Sequence, residues 1–143
     1  MDLYANLSDA VNNFSYSQVR FTKIQAGFGE FFENFNPENL QISGMAVHLD
    51  VPTGTCVITA FGRIFSATVT PLMVGKEMFG HVEFSENVGS KKIAIERFLI
   101  TSNMVMTLAR EALMPVSSFS NEQSLYILNL IHKGLSKPLI ASE

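Results

Sequence analysis

The fold is decided by residues 45–62, which read MAVHLDVPTGTCVITAFG. Apolar and polar residues alternate on both sides of the segment VPTG, residues 51–54. Period-two alternation interrupted by proline and glycine is typical of two half-buried antiparallel strands joined by a turn. Gly62 and Arg63 follow as candidate central residues of a second hairpin turn, because glycine tolerates the positive φ that such turns need.

The same pattern continues as far as Thr101 and predicts further strands. Strands are predicted over residues 64–70, 78–84 and 93–100, with turns at residues 75–76 and 85–90. Pro71 marks an edge or a bulge, because proline has no N–H to donate within a sheet. Together these segments predict an antiparallel sheet of about five strands.

Apolar spacing predicts helices in the first 35 residues. Two stripes recur at intervals of three and four residues; they comprise Leu3, Leu7, Ala10, Val11 and Phe14, then Phe21, Ile24, Phe28, Phe31 and Phe35. Ser15 with Gln18 matches a capping box and predicts that a second helix starts between the stripes. Asn36 and Pro37 end that helix, because the residue before proline avoids helical geometry.

The last third of the chain predicts two more helices. Ser102 is a candidate cap for a helix that ends before Pro115, although residues 93–108 also fit one long strand or a longer helix. Ser120 and Gln123 match a second capping box, ahead of an apolar stripe from Leu125 to Leu135. We therefore expect a single α+β domain over residues 1–143, with N-terminal helices, the sheet, and C-terminal helices packed on one sheet face.

Composition predicts an apolar surface. Hydrophobic residues form 47% of the 143-residue chain and charged residues only 16%, against roughly 25% charged in typical soluble domains. Little charge is therefore left to coat a monomer, and we expect a protein partner and a homo-oligomer.

A phenylalanine band is the candidate interface for such a partner. Phe28, Phe31, Phe32 and Phe35 form a band wider than one helical stripe, beside glycines that permit close approach of another backbone. The alternative is that the whole band covers the sheet, since an aromatic helix face most often belongs to the core.

Several functional classes are disfavoured. The basic residues are scattered and the net charge is −3, which is a poor footprint for nucleic acid. No apolar run approaches the roughly 20 residues of a membrane helix, so no membrane association is expected. A lone cysteine, Cys56, and the lack of a signal-peptide pattern favour the cytoplasm. Cys56 itself lies in an apolar strand pattern, which disfavours a reactive thiolate.

The sharpest polar pattern is a repeated pair. His48 with Asp50, and His81 with Glu83, each share one face of a predicted strand. If the two strands were neighbours in register, these residues would suit a transition metal or acid–base chemistry. The simpler interpretation is that they face water on a half-buried sheet.

No catalytic signature or cofactor motif accompanies these residues. We therefore predict a small, non-enzymatic protein-binding module that self-associates, such as an inhibitor, an immunity-type protein or a chaperone-like protein. The alternative is an α+β protein that binds a small ligand or a metal between sheet and helix, either as a binding protein or as an enzyme.

Overall fold

A computed structural model describes residues 3–139 and shows an α+β fold. Within these residues, the helices are α1 (Leu7–Ser15), α2 (Ser17–Glu33) and α3 (Glu122–Leu135). The strands are β1 (Met45–Asp50), β2 (Thr55–Ala60), β3 (Arg63–Val74), β4 (Glu77–Val88), β5 (Lys91–Ile100), β6 (Met104–Met106) and β7 (Ala112–Pro115). None of the described helices is long and apolar enough to cross a membrane.

The strands form one curled antiparallel meander in the order β1 to β7. Each strand pairs with the next strand along the chain, which suits the short connections between them. Pro71 lies in β3 opposite Gly80 of β4, beyond Thr68, the last residue of β3 that pairs with β2. At Pro71 one side of β3 is therefore a local edge, where a missing N–H is tolerated.

The prediction of about five strands was too low, because the segment after Ser102 is not a helix. It forms β6 and β7, so residues 3–139 contain one C-terminal helix where two were predicted. Val105 is buried while its neighbours Met104 and Met106 are only half-buried, as expected of a strand. A strand of three residues is too short for periodicity to distinguish it from helix.

The β2–β3 hairpin turns one residue earlier than predicted. Ala60 pairs with Arg63, so the central residues are Phe61 and Gly62, with φ angles of 53° and 84°. Two positive φ values are typical of a type I′ turn, whose twist matches the strands it joins. Phe61 donates its backbone N–H to the Gly44 carbonyl at 2.8 Å, which holds this strained residue in place.

The predicted break between the N-terminal helices is confirmed within one residue. It lies at Tyr16, between the end of α1 and the start of α2. The predicted capping box is absent, because the Ser15 hydroxyl donates to the Val11 carbonyl at 2.7 Å. Helix α2 therefore begins without a side-chain cap, whereas α1 is capped by Asn6, whose side chain accepts the Asp9 N–H at 2.9 Å.

Helices α2 and α3 pack against the same face of the sheet and form the core with it. The fully buried side chains include Phe28, Phe31 and Phe32 of α2, Ile127 of α3, and Ile58, Phe65 and Phe84 of the sheet. The Phe31 ring lies 6.1 Å from that of Phe98 and 6.2 Å from that of Tyr126. Gly27 lets α2 approach the β5–β6 turn, since a Cβ at this position would overlap the Thr101 carbonyl oxygen.

A largely buried ion pair ties the end of α3 to the sheet. Arg63 Nε lies 2.7 Å from Glu86 Oε2, and Arg63 Nη2 lies 2.6 Å from Glu86 Oε1. The same guanidinium donates to the carbonyls of Lys137 at 2.9 Å and Gly134 at 3.2 Å. These bonds add a charged donor to carbonyls at the C-terminal end of α3, and the bonds to Glu86 raise the pKa of Arg63.

Candidate interaction surface

Helix α1 presents its apolar side to solvent. Leu7, Val11 and Phe14 recur at i, i+4 and i+7, so they share one face, which we call the outer stripe. Their exposed fractions are 79%, 52% and 59%, and no residue of α1 is buried. The apolar face of an amphipathic helix ordinarily lies against the protein core. In α1 the apolar face is instead exposed to solvent.

A different face of α1 rests on the rest of the chain, and polar contacts fix it there. Ala10 and Asn13 are half-buried on this face. Asn13 Nδ2 donates to the Tyr4 hydroxyl at 2.6 Å, and Arg20 Nη1 donates to Asn13 Oδ1 at 2.9 Å. The Lys76 ammonium lies 5.5 Å from the centre of the Tyr4 ring, a cation–π distance. The outward direction of the outer stripe is therefore built into the structure.

Three more apolar residues of the N-terminal segment are exposed. Leu3, Tyr16 and Val19 are also more than half exposed, at 51%, 63% and 55%. We call these three residues together with the outer stripe the N-terminal apolar surface. A helix of nine residues is too short to be stable on its own in water and normally depends on tertiary packing. Within residues 3–139, the Tyr4 ring lies 6.2 Å from the Phe14 ring, yet all three residues of the outer stripe remain more than half exposed, so α1 lacks much of that packing.

The predicted phenylalanine interface requires correction, because the band lies in the core of the single chain. Phe28, Phe31 and Phe32 are 0% exposed and Phe35 is 3% exposed. The band is wide because α2 covers the sheet and also meets α3, where Phe31 contacts Tyr126. The neighbouring glycines approach other parts of the same chain. These side chains are therefore not available to a partner.

The two histidine pairs lie on strands that are not neighbours. His48 and Asp50 are on β1, whereas His81 and Glu83 are on β4, with β2 and β3 between them. Asp50 and Glu83 fall in one row through Thr55 and Thr68, which places their backbones roughly 14 Å apart at about 4.8 Å per strand. The metal hypothesis required the two strands to be neighbours in register, and they are not.

The rest of the structure agrees with this placement. Residues 3–139 contain no group of three or more His, Cys, Asp or Glu side chains that could hold a metal ion. Glu83 is instead paired with Arg97 at 3.0 Å and accepts the Ser85 hydroxyl at 3.1 Å. Ser85 is buried, so this serine and carboxylate do not form an accessible catalytic pair.

Cys56 is a core residue, in agreement with its apolar sequence context. Burial raises the pKa of its thiol to about 12, so the thiol stays protonated at neutral pH. Burial, with a smaller contribution from the charge of Glu96, also raises the pKa of Tyr126 to about 12. Neither group is prepared for nucleophilic or acid–base work near pH 7.

A scan of protein-family models and searches of curated proteins and solved structures gave no match. We therefore infer a function from the surface of this chain. The apolar spacing of α1 is visible in the sequence, but the direction in which the stripe faces is not. No pattern in the sequence shows that Asn13, Tyr4 and Arg20 would hold the helix with its outer stripe in solvent.

Proposed function

We propose that this chain is a non-enzymatic protein-binding module that self-associates through its N-terminal apolar surface. The observation that carries the proposal is the outward direction of α1. A helix that keeps its polar contacts inside the chain and its outer stripe outside gains stability when another protein covers that stripe.

A second copy of the chain is the occupant that we propose. The outer stripe carries no charge, so two stripes related by a two-fold axis would match each other. Asp9, the acidic residue in the first turn of α1, lies about 200° around the helix from Leu7, at 100° per residue. Two copies packed stripe to stripe would therefore not bring their Asp9 carboxylates together.

The size of the surface predicts a weak dimer. The N-terminal apolar surface can bury on the order of 500 Å² per copy, below the roughly 800 Å² per partner of a standard interface. We therefore expect dissociation in the micromolar range, with monomer and dimer exchanging as the protein is diluted. The single cysteine and its burial also suit the reducing cytoplasm, where we place the protein.

Sedimentation velocity between about 1 and 200 µM tests the proposal. The natural chain should shift from monomer to dimer across this range. Leu7→Asp and Val11→Asp should stay monomeric with unchanged circular dichroism, because a carboxylate would have to be buried at the contact.

Leu125→Asp is the matched control. Leu125 is 62% exposed, like the stripe residues, but lies on α3. This variant should dimerise as the natural chain does. A natural chain that remains monomeric at 200 µM would overturn the proposal, as would equal weakening by Leu125→Asp and Val11→Asp.

A further inference from the structure

An apolar cavity of about 240 Å³ lies between α3 and the β4–β5 hairpin. Its walls are mainly aliphatic and come from Val88, Ile93, Ala94, Ile95, Pro138 and the backbone of Gly134. It is smaller than the roughly 300–1,000 Å³ of sites for drug-sized ligands, so it suits a fragment-sized molecule.

Two structural details shape the walls of the cavity. Gly134 lies against Phe65 and Ile95, and a side chain at this position would overlap both. The register of β4 and β5 shifts between Phe84 and Ser85, which leaves Ile95 as an extra residue on β5. Both Ile95 and Glu96 reach α3, since Ile95 lies against Gly134 and Glu96 pairs with Lys133.

The charges around the cavity favour an anion at its solvent end. Glu86 lines the cavity, but both of its oxygens are bonded to Arg63, so its charge is already compensated. Lys133 and Lys137 are exposed lining residues. Lys133 shares its charge with Glu96 at 3.2 Å, while Lys137 has no carboxylate within ion-pair distance in the described part of the chain. One positive charge is therefore left at the solvent end.

We propose that this cavity binds the hydrocarbon tail of a free aliphatic monocarboxylate, with the carboxylate beside Lys133 and Lys137. The apolar walls remove the tail from water, and the lysines supply charge-assisted contacts to the head group. This site is separate from the N-terminal apolar surface, and the proposal does not depend on self-association.

Titration of the full-length protein with butanoate, hexanoate, octanoate and decanoate, followed by amide NMR shifts, tests the site. Each added methylene should lower the Kd about fourfold until the cavity is full, and longer chains should then gain little. Shifts should centre on Val88, Ile93, Ile95 and Gly134. Octylammonium should bind at least tenfold more weakly than octanoate.

Two pairs of variants test binding of the hydrocarbon tail and binding of the carboxylate separately. Ile93→Glu should abolish octanoate binding, because it places a carboxylate in the apolar wall. Ile64→Glu is its control, since Ile64 and Ile93 are both 43% exposed and Ile64 does not line the cavity. Lys137→Gln should weaken octanoate severalfold and leave 1-octanol unchanged, whereas Lys76→Gln should affect neither ligand.

The proposal is overturned if octanoate causes no saturable shifts at these residues up to about 10 mM. It is also overturned if octylammonium binds as tightly as octanoate, or if Ile93→Glu binds as well as Ile64→Glu.

Discussion

Replacing Arg63 by methionine should destabilise the fold by about 3 kcal/mol. The change keeps most of the side-chain volume but leaves the Glu86 carboxylate, whose side chain is only 7% exposed, without its cation. Breaking a buried ion pair by removing one partner typically lowers the free energy of unfolding by about 3–5 kcal/mol. We expect the lower end, because the Arg63 side chain is 16% exposed and water can reach part of the site.

Urea unfolding followed by far-ultraviolet circular dichroism at pH 7 measures this loss. Arg97→Met is the matched control: its pair with Glu83 is 50% and 36% exposed, so its loss should stay below about 1 kcal/mol. Replacing both partners, as Arg63→Met with Glu86→Leu, should recover most of the lost stability, because no charge is then left buried. A loss for Arg63→Met no larger than that for Arg97→Met would refute this reasoning.

Three further predictions concern stability. Gly27→Ala should lower the free energy of unfolding by about 2 kcal/mol, despite the better helix propensity of alanine, because its Cβ would overlap the Thr101 carbonyl; a stabilised variant would contradict this. Phe61→Asn should raise the free energy of unfolding by about 0.5–1 kcal/mol, since asparagine tolerates the φ of 53° better than phenylalanine does. A lower free energy of unfolding would show that the contacts of the phenylalanine ring outweigh the backbone strain. Burial raises the pKa of Cys56 from 9.0 and that of Tyr126 from 10.0, each to about 12. The folded state then keeps protons that the unfolded state releases, so the free energy of unfolding should fall between about pH 9 and 12. Urea unfolding across this range measures the fall, and Cys56→Ala should make it less steep. A free energy of unfolding that stays constant over this range would contradict the prediction.

The central sheet was predictable because it depends on local chemistry. Alternation in β1 and β2, with the glycine-containing turns at residues 51–54 and 61–62, is visible in the sequence itself. The short strands β6 and β7 were not predictable, because Met104 to Met106 offers no repeat long enough to exclude helix. The strand geometry of β6 depends on pairing with β5, where Ile100 lies opposite Val105, and that of β7 depends on pairing with β6.

The candidate sites depend on contacts that cross the fold, which one sequence does not encode locally. Arg63 and Glu86 are 23 positions apart and meet only through the register of β3 and β4. His48 and His81 share a spacing pattern, yet strand order separates them. The direction of α1 likewise depends on Tyr4 and Arg20, which contact Asn13 from outside the helix. Composition predicted an apolar surface but could not show which residues form it.

A cysteine in the centre of the outer stripe shows whether two copies of the chain meet there. In a stripe-to-stripe dimer, Val11 of one copy lies nearest to Val11 of the other, so Val11→Cys should form a disulfide-linked dimer under mild oxidation. The native Cys56 is buried and should not interfere. Asn12→Cys lies on the same helix, about 100° away, and should form little dimer. On a non-reducing gel we expect rapid cross-linking of Val11→Cys alone. Equal cross-linking of both variants, or of neither, would mean that the outer stripe is not the dimer contact.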